Sequence, residues 1–257
     1  MRGFGEPRWL SEGRAFDVPF HDDALAIART LDCDVNAVPV AGRRKRLLVA
    51  DMDSTIIACE CLDELAGQAG LKERIAAITE RAMKGETAFV PALKERVALL
   101  EGLPLAALKR TYDERVRLNP GAKALVATMK AHGARAVLVS GGFTYFTGRV
   151  RGLCGFDADY ANVLIDDGER LTGEVREPVL GREAKLETLL SQGIDARDAL
   201  AIGDGANDLD MIRAAGLGVA FHAKPVVAEA AAARIDRGDL RAALYLQGYR
   251  DDEIVES

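Results

Sequence analysis

Leu47-Leu48-Val49-Ala50-Asp51-Met52-Asp53-Ser54-Thr55 is the stretch on which the fold turns. A continuous apolar run stops abruptly at two carboxylates one residue apart, followed by two hydroxyls. Such a run suits a strand buried on both faces, as in the middle of a parallel sheet. Successive strand side chains point to opposite faces, so Asp51 and Asp53 share one space only where the strand passes into a loop at its C-terminal end. That end is where open α/β sheets keep their active crevice. Two neighbouring acids without an adjacent cation repel, so a metal ion is the expected missing partner. A solvated turn with a helix cap would carry the same letters, and the rest of the chain argues against it.

With 257 residues the chain can bury a sizeable core and hold one large domain, or one domain with an insertion. Its 49% hydrophobic content with few aromatics is that of an ordinary soluble globular protein. The net charge of -6 argues against a dedicated nucleic-acid surface but leaves room for a small anionic substrate in a local basic pocket. No run approaches the ~20 apolar residues of a membrane span, and the N-terminus lacks the apolar region of a secretory signal. Cys33, Cys59, Cys61 and Cys154 match neither paired metal-binding spacing nor a small disulfide scaffold. They are expected as free thiols, with the cytoplasm as the default compartment.

Upstream of the motif, Trp9, Phe16, Val18 and Phe20 alternate as in a strand, residues 22–31 read as a helix with an acidic first turn, and residues 35–40 read as a short edge strand because of Pro39. The basic cluster Arg43-Arg44-Lys45-Arg46 is expected to be a solvated linker beside a hydrophobic strand. Downstream, residues 62–115 hold no convincing strand. Their periodicity is helical, through Leu62, Leu65, Ala66 and Ala69, then Ile75, Ala77, Ile78 and Ala82, then Leu93, Val97 and Leu100. Gly70, Gly85 and Gly102-Leu103-Pro104 divide them into three or four short helices. A helical stretch spliced in directly after the first strand suggests a cap over the crevice.

Alternation then resumes. A helix over 122–132 precedes a strand over 136–139 that ends in Ser140-Gly141-Gly142, and a second helix follows over 143–153. Residues 163–165 and 171–175, joined through Asp166-Asp167-Gly168, predict a hairpin at the sheet's edge. A helix over 182–192 leads to a buried strand over 199–202, which ends in Gly203-Asp204-Gly205-Ala206-Asn207-Asp208 and opens another helix. A strand over 217–221, a helix over 225–233 and a short strand near Ile235 complete the set, with an acidic, frayed tail expected from Asp251.

Three strand ends therefore carry polar clusters to one edge of the sheet: Asp51 and Asp53, then Ser140 and Gly141, then Asp204, Asn207 and Asp208. Lys185, early in its helix, adds a cation near that edge. These groups suit phosphoryl transfer. Mg2+ takes a few carboxylates plus waters and substrate phosphate, and Asp51, Asp204 and Asp208 offer the charge. The Ser140 hydroxyl and the Gly141 N–H can bond phosphate oxygens, and Lys185 can neutralise charge developing there. One Asp can then act as nucleophile and the other as general acid and base.

Asp51-Met-Asp53-Ser54-Thr55, Ser140-Gly141-Gly142-Phe143, Lys185 and Gly203-Asp204-Gly205-Ala206-Asn207-Asp208 match, in order, the four motifs of the haloacid-dehalogenase superfamily of phosphatases. From about residue 45 to 246 the chain resembles most closely the phosphoserine phosphatase family within it. The resemblance implies a Rossmann-like, doubly wound α/β fold with a mainly parallel sheet, a small helical cap and an edge β-hairpin. It implies Asp51 as nucleophile and metal ligand, and Asp53 as acid/base with its backbone carbonyl on Mg2+. It further implies Ser140, Gly141 and Lys185 on the phosphate, Asp204 as a metal ligand, Asn207 at the substrate and Asp208 as a support. In that family a Glu after the first motif receives the substrate ammonium and a cap Arg pairs with its carboxylate. Glu60 and Arg96 stand at those positions, and Phe89 matches the cap aromatic.

On that basis residues 45–58 and 117–248 form the catalytic core, 59–116 the cap and 249–257 a tail. Residues 1–44 resemble at most the last strand and helix of an ACT-type domain, and bracing the core is their expected role. The expected activity is Mg2+-dependent hydrolysis of phosphoserine in serine biosynthesis, with a small phosphomonoester as partner, neither nucleic acid nor membrane, and a homodimer left open. Two alternatives remain: a phosphatase or phosphotransferase for a related amine phosphate such as phosphoethanolamine, and a Mg2+-dependent phosphoamino-acid sensor without turnover.

Overall fold

In the computed structural model, which describes residues 5–20, 30–83 and 86–256, the chain opens with an antiparallel hairpin, β1 (Arg8–Ser11) and β2 (Ala15–Asp17). The motif strand follows as β3 (Leu47–Asp51), every residue of which is buried. Four helices come next: α1 (Cys61–Gln68), α2 (Lys72–Met83), α3 (Phe89–Ala98) and α4 (Leu105–Arg115). Then α5 (Ala122–Ala131), β4 (Arg135–Phe143), α6 (Thr144–Cys154) and β5 (Ala158–Asn162) restore the alternation. A small hairpin, β6 (Leu164–Asp166) and β7 (Leu171–Val175), precedes α7 (Arg182–Leu190) and β8 (Ala199–Gly203). The chain finishes with α8 (Leu209–Ala214), β9 (Leu217–Phe221), α9 (Pro225–Ala230), β10 (Ala233–Ile235) and α10 (Ala242–Tyr245).

Six strands form one parallel sheet in the order β10-β9-β8-β3-β4-β5. From β3 the chain moves outward through β4 and β5, then crosses back and moves outward again through β8, β9 and β10. The reversal beside β3 opens a crevice at the C-terminal ends of β3, β4 and β8. Alternate residues of the apolar runs serve opposite faces. Leu48, Ala50, Leu138, Leu200 and Ile202 pack with α5, α6, α10 and the cap. Leu47, Val49, Val137, Val139 and Ala201 pack with α7, α8 and α9. Burying each such leucine contributes about 1.5–3 kcal/mol, which fixes the register of β3 because a slip by one residue would exchange the two faces. The fold is thus the expected doubly wound α/β sheet with a helical cap. Among the described residues no helix is long and apolar enough to cross a membrane.

The cap helices bury Leu65, Ala66, Ile75, Ile78, Leu93, Val97 and Leu100, as their periodicity predicts. Ala77 instead faces solvent, a position where a small side chain costs little. The side chain of Ala82, together with Gly85, lies outside the described residues. The expected hairpin is present, just past edge strand β5, as a two-stranded sheet of its own. It is stitched to the loop between α3 and α4: Gly102 N–H donates to the Leu171 carbonyl at 2.8 Å, Leu171 N–H to Leu103 at 2.9 Å and Leu105 N–H to Glu169 at 2.9 Å.

The N-terminal segment departs most from expectation. The alternation through Trp9 and Phe16 belongs to two strands, turned at Gly13 with φ 70°, and the two rings stack edge-on while half exposed. The helix expected over 22–31 falls mostly on residues 21–29, outside the described residues. Residues 35–40 form no strand. They follow the edge of the sheet through side chains: the Asn36 amide exchanges two 2.8 Å hydrogen bonds with the backbone of Arg234, and the Asp34 carboxylate accepts from the N–H groups of Asp236, Arg237 and Gly238 at 3.0–3.1 Å.

The basic cluster is engaged as well as solvated. Arg43 forks onto Asp17 at 2.6 and 3.0 Å and donates to the Leu246 and Tyr245 carbonyls at 3.0 Å each. Arg44 lies over the Tyr249 ring and bonds Glu253. The tail is likewise tied down, by Arg241 on Glu256 and by Val255 N–H on the Thr128 hydroxyl. Arg43 therefore joins the N-terminal hairpin to the C-terminal helix. Replacing Arg43 with Ala should lower stability by about 2 kcal/mol, because a part-buried carboxylate and two carbonyls lose a charged donor. Urea denaturation of the folded variant measures this, and an unchanged midpoint would show the brace to be idle.

Candidate active site

Asp51 closes β3, and the chain then makes a tight irregular turn over Met52–Ile56 instead of a regular helix. Asp53 keeps an extended backbone at φ -67°, ψ 137°, and Ser54 adopts φ 56°, a left-handed conformation uncommon for a residue with a side chain. Outside contacts hold this geometry. Asn119 donates its side-chain amide to the Thr55 carbonyl at 2.7 Å and its backbone N–H to Ile56 at 2.9 Å. The turn breaks the strand's two-residue alternation and places the Asp53 carboxylate within electrostatic reach of Asp51. Asp53 accepts from the Cys61 N–H at 2.9 Å and from the Ser140 hydroxyl at 3.1 Å.

Lys185 is buried in the first turn of α7, where its ammonium donates to Asp51 Oδ1 at 2.5 Å and Asp208 Oδ1 at 2.6 Å. The second oxygen of Asp208 accepts from Gly205 N–H at 3.0 Å. A Cβ on Gly203 would stand 2.4 Å from the Asp208 carboxylate, so β8 must end in glycine for that acid to fold back beneath the loop. Asp204 adds a third carboxylate, with the Thr55 hydroxyl donating to it at 3.4 Å.

The electrostatics follow from crowding buried acids near the Lys185 ammonium. Burial, then the Asp208 charge, raise the Asp51 pKa well above the usual carboxylate range although Lys185 opposes them. Burial and Glu60 push Asp53 up to about 6, and burial and Asp208 push Asp204 up to about 6. Burial disfavours the Lys185 ammonium, yet Asp208 and Asp51 outweigh it and hold its pKa above the ordinary lysine value. Oxygens of Asp51, Asp204 and Asp208 lie within 4.8 Å of one another. This all-oxygen donor set, short of positive charge, fits a hard divalent cation.

On the substrate side, Ser140 is buried, and its oxygen also accepts from Gly142 N–H at 2.8 Å. A Cβ on Gly142 would lie 2.9 Å from Asp53 Oδ2, so glycine is required there. Phe89, at the start of α3, reaches down from the cap to within 3.3 Å of where a Gly141 Cβ would be, and it flanks Gly181 as well. Glu60 is exposed and accepts from the Ser54 hydroxyl at 2.7 Å.

Arg96 is partly buried. Its Nε donates to the Ala92 carbonyl at 3.2 Å and its Nη1 to the Thr79 hydroxyl at 3.5 Å. Among the described residues it makes no ion pair, and the residue four before it on its helix is Ala92, which offers none. Burial lowers its pKa, with Asp63 and Glu60 opposing.

The structure thus gathers Asp51, Asp204, Asp208 and Lys185 into one cluster, with Asp53 and Ser140 bonded beside it. Glu60, Arg96 and Asn207 are not hydrogen-bonded to that cluster; the Asn207 amide folds over Gly205. Thr55, Asn119 and the Cys61 N–H also shape the site and were not singled out from sequence. Thr55 stood inside the motif, whereas Asn119 in Asn-Pro-Gly reads as an ordinary turn.

Residues 48–213 match the haloacid dehalogenase-like hydrolase family. A phosphoserine phosphatase of Albidiferax ferrireducens is 46% identical over 224 residues, 84% of this chain and 94% of that one. A structure described as a phospho-aspartyl intermediate analogue of phosphoserine phosphatase shares 38% identity at a TM-score of 0.73, covering 79% of this chain and 98% of its own. The unliganded probable phosphoserine phosphatase of Vibrio cholerae shares 34% identity at a TM-score of 0.79, covering 93% and 77% respectively. The chain belongs to the haloacid dehalogenase-like hydrolase family.

Proposed function

We propose that this chain is a Mg2+-dependent phosphoserine phosphatase, hydrolysing O-phosphoserine to serine and phosphate through an aspartyl-phosphate on Asp51, as the last step of serine biosynthesis in the cytoplasm. The observation that carries the reading is the Asp51–Lys185–Asp208 cluster with Asp53 held on Ser140 beside it, beneath a cap whose Arg96 has no carboxylate partner among the described residues. The names of the similar proteins support the substrate, and the intermediate analogue among them supports the covalent route. Residues 45–58 and 117–248 are the catalytic core in this reading, 59–116 the cap and 1–44 a brace.

Asp51 and Asp204, with the Asp53 backbone carbonyl, would hold Mg2+, which when bound neutralises phosphate charge. Asp51 attacks phosphorus as the bond to the serine oxygen breaks, and Asp53 gives its proton to that leaving oxygen. Its pKa near 6 suits both roles close to neutrality. Asp53, now a carboxylate, takes a proton from the water that attacks the aspartyl-phosphate, which frees phosphate and restores Asp51. Lys185, the Ser140 hydroxyl and the Gly141 N–H meet the transferring oxygens, while Asp208 holds the Lys185 ammonium in place. Asn207 lies at the phosphate's edge, Phe89 closes over it, Glu60 receives the substrate ammonium and Arg96 its carboxylate.

Asp51→Asn should abolish phosphate release from phosphoserine while leaving the fold intact, since a near-isosteric amide is a poor nucleophile and a weaker cation ligand. Phosphate-release assays on a variant with an unaltered circular-dichroism spectrum decide this. Measurable turnover would rule out the covalent route.

Cation binding should follow pH in a defined direction. Asp53 and Asp204 rise from 3.8 to about 6 on folding, so each stabilises the fold in its protonated form. That contribution is complete below the unfolded value and is lost as pH rises through about 6. Cation-free protein should therefore lose stability over this range, and Mg2+ should raise the melting temperature more at about pH 8 than at about pH 5, where protons compete for the Asp204 oxygens. Equal shifts at both values would place the cation elsewhere.

Arg96→Ala should lower kcat/KM for phosphoserine by roughly tenfold to a few hundredfold, because a charge-assisted contact is worth about 1.5–3 kcal/mol. Phosphoethanolamine, which has no carboxylate, should lose little. Equal losses on both substrates would remove the support for phosphoserine.

A further inference from the structure

The ladder between β4 and β5 breaks where the site begins. Val139 pairs with Tyr160, and the next pair is Phe143 with Asn162. Four steps along β4 thus match two along β5, and residues 140–142 bulge out of the sheet. A bulge leaves peptide groups without ladder partners, and where it is buried those groups must find others.

Asn162 supplies one of them. Its side chain is buried, with the residue 2% exposed, and each of its polar atoms is engaged. The Nδ2 donates to the Gly141 carbonyl at 2.9 Å and to the Leu180 carbonyl at 3.2 Å, while Oδ1 accepts from the Leu180 N–H at 2.7 Å. The peptide joining Gly141 to Gly142 is therefore fixed at both ends, its carbonyl by Asn162 and its N–H by the Ser140 oxygen at 2.8 Å. The Ser140 hydroxyl in turn donates to Asp53 at 3.1 Å. The other partner, Leu180, lies two residues before α7, whose first turn carries Lys185.

We propose that Asn162 is a positioning residue for phosphoryl transfer: it holds the Gly141–Gly142 peptide and Leu180 together so that the Ser140 hydroxyl, the Gly141 N–H and the Lys185 ammonium converge on one phosphoryl group. The inference rests on the phosphatase reading above and extends the site to a residue outside the four motifs. Asparagine is specific here. Aspartate would turn a second acceptor toward two carbonyls, leucine would strand the Leu180 N–H, and glutamine would push an extra methylene into a closed space.

The test compares wild type with Asn162→Asp, which keeps the acceptor for Leu180 but loses both donors, and with Asn162→Ala, which loses all three bonds. Turnover of phosphoserine and of p-nitrophenyl phosphate is measured on folded protein, together with inhibition by inorganic phosphate and activation by Mg2+. Both variants should lose kcat/KM on the two substrates by the same factor, about tenfold or more. Inhibition by inorganic phosphate should weaken in parallel, while the Mg2+ concentration for half activation stays unchanged.

Unchanged phosphate inhibition in folded Asn162→Asp would overturn the proposal. So would failure of both variants to fold, since the amide would then be holding the sheet and not aiming the site. If only Asn162→Ala fails to fold, the isosteric variant decides. A wild type that cleaves p-nitrophenyl phosphate but not phosphoserine would defeat the substrate assignment alone, leaving the role of Asn162 to be read from the generic ester and inorganic phosphate.

Discussion

Lys185 buries its ammonium between Asp51 and Asp208, and none of the three charges can be removed alone without stranding another in the interior. Taking an ion out of water costs several kcal/mol, and breaking a buried pair by deleting one partner typically costs about 3–5 kcal/mol. Such a cluster is tolerated only where the backbone delivers its members to one point. Here Asp51 comes from the end of β3, Asp208 from the loop after β8 and Lys185 from the first turn of α7. The adjacency of β3 and β8 in the sheet does most of this work, since it places two strand ends side by side before any side chain is chosen. Gly203 and the fold-back of Asp208 complete it.

The cluster also leaves a deliberate imbalance. Asp51, Asp204 and Asp208 crowd around the buried Lys185 ammonium, with Lys224 also acting on Asp204, and burial raises the pKa of Asp51 and Asp204 instead of letting them ionise freely. A site built to be stable by itself would carry another Arg or Lys. Buried acids with raised pKa values that lack enough local positive charge are more often found at functional sites than in structural ion pairs, and a divalent cation would offset the excess.

The sheet and the motif ends were legible in the sequence because buried parallel strands write themselves as short apolar runs closed by polar letters. Leu47 to Asp51 and Ala199 to Gly203 are wholly buried and were read almost to the residue. Alternation was a poorer guide in the N-terminal hairpin, where Trp9 and Phe16 stack on each other in solvent and so report no buried face. Residues 35–40 look apolar enough for a strand, yet they meet the sheet through the Asn36 amide, a contact that periodicity cannot register. The same limit hid Asn119 and Asn162. Each is a single amide that satisfies backbone groups far along the chain, and no local pattern distinguishes it from an asparagine in an ordinary turn or strand end.

Core and cap divide the recognition problem by the kind of charge each leaves unmet. The core is short of positive charge where the phosphoryl group and cation would sit. The cap holds the opposite arrangement: Arg96 is partly desolvated, bonded among the described residues to a carbonyl and a hydroxyl, and felt by Glu60 and Asp63 without an ion pair to either. An arginine in that state gains most from a carboxylate arriving with its own geometry, and Glu60 gains from an ammonium. The stitching of the β6–β7 hairpin to the loop between α3 and α4 ties down the end of α3 opposite Phe89, the end that carries Arg96. In the proposed reading, specificity for a zwitterionic phosphomonoester would follow from these two separate charge deficits, and the core need not change for the cap to choose another substrate.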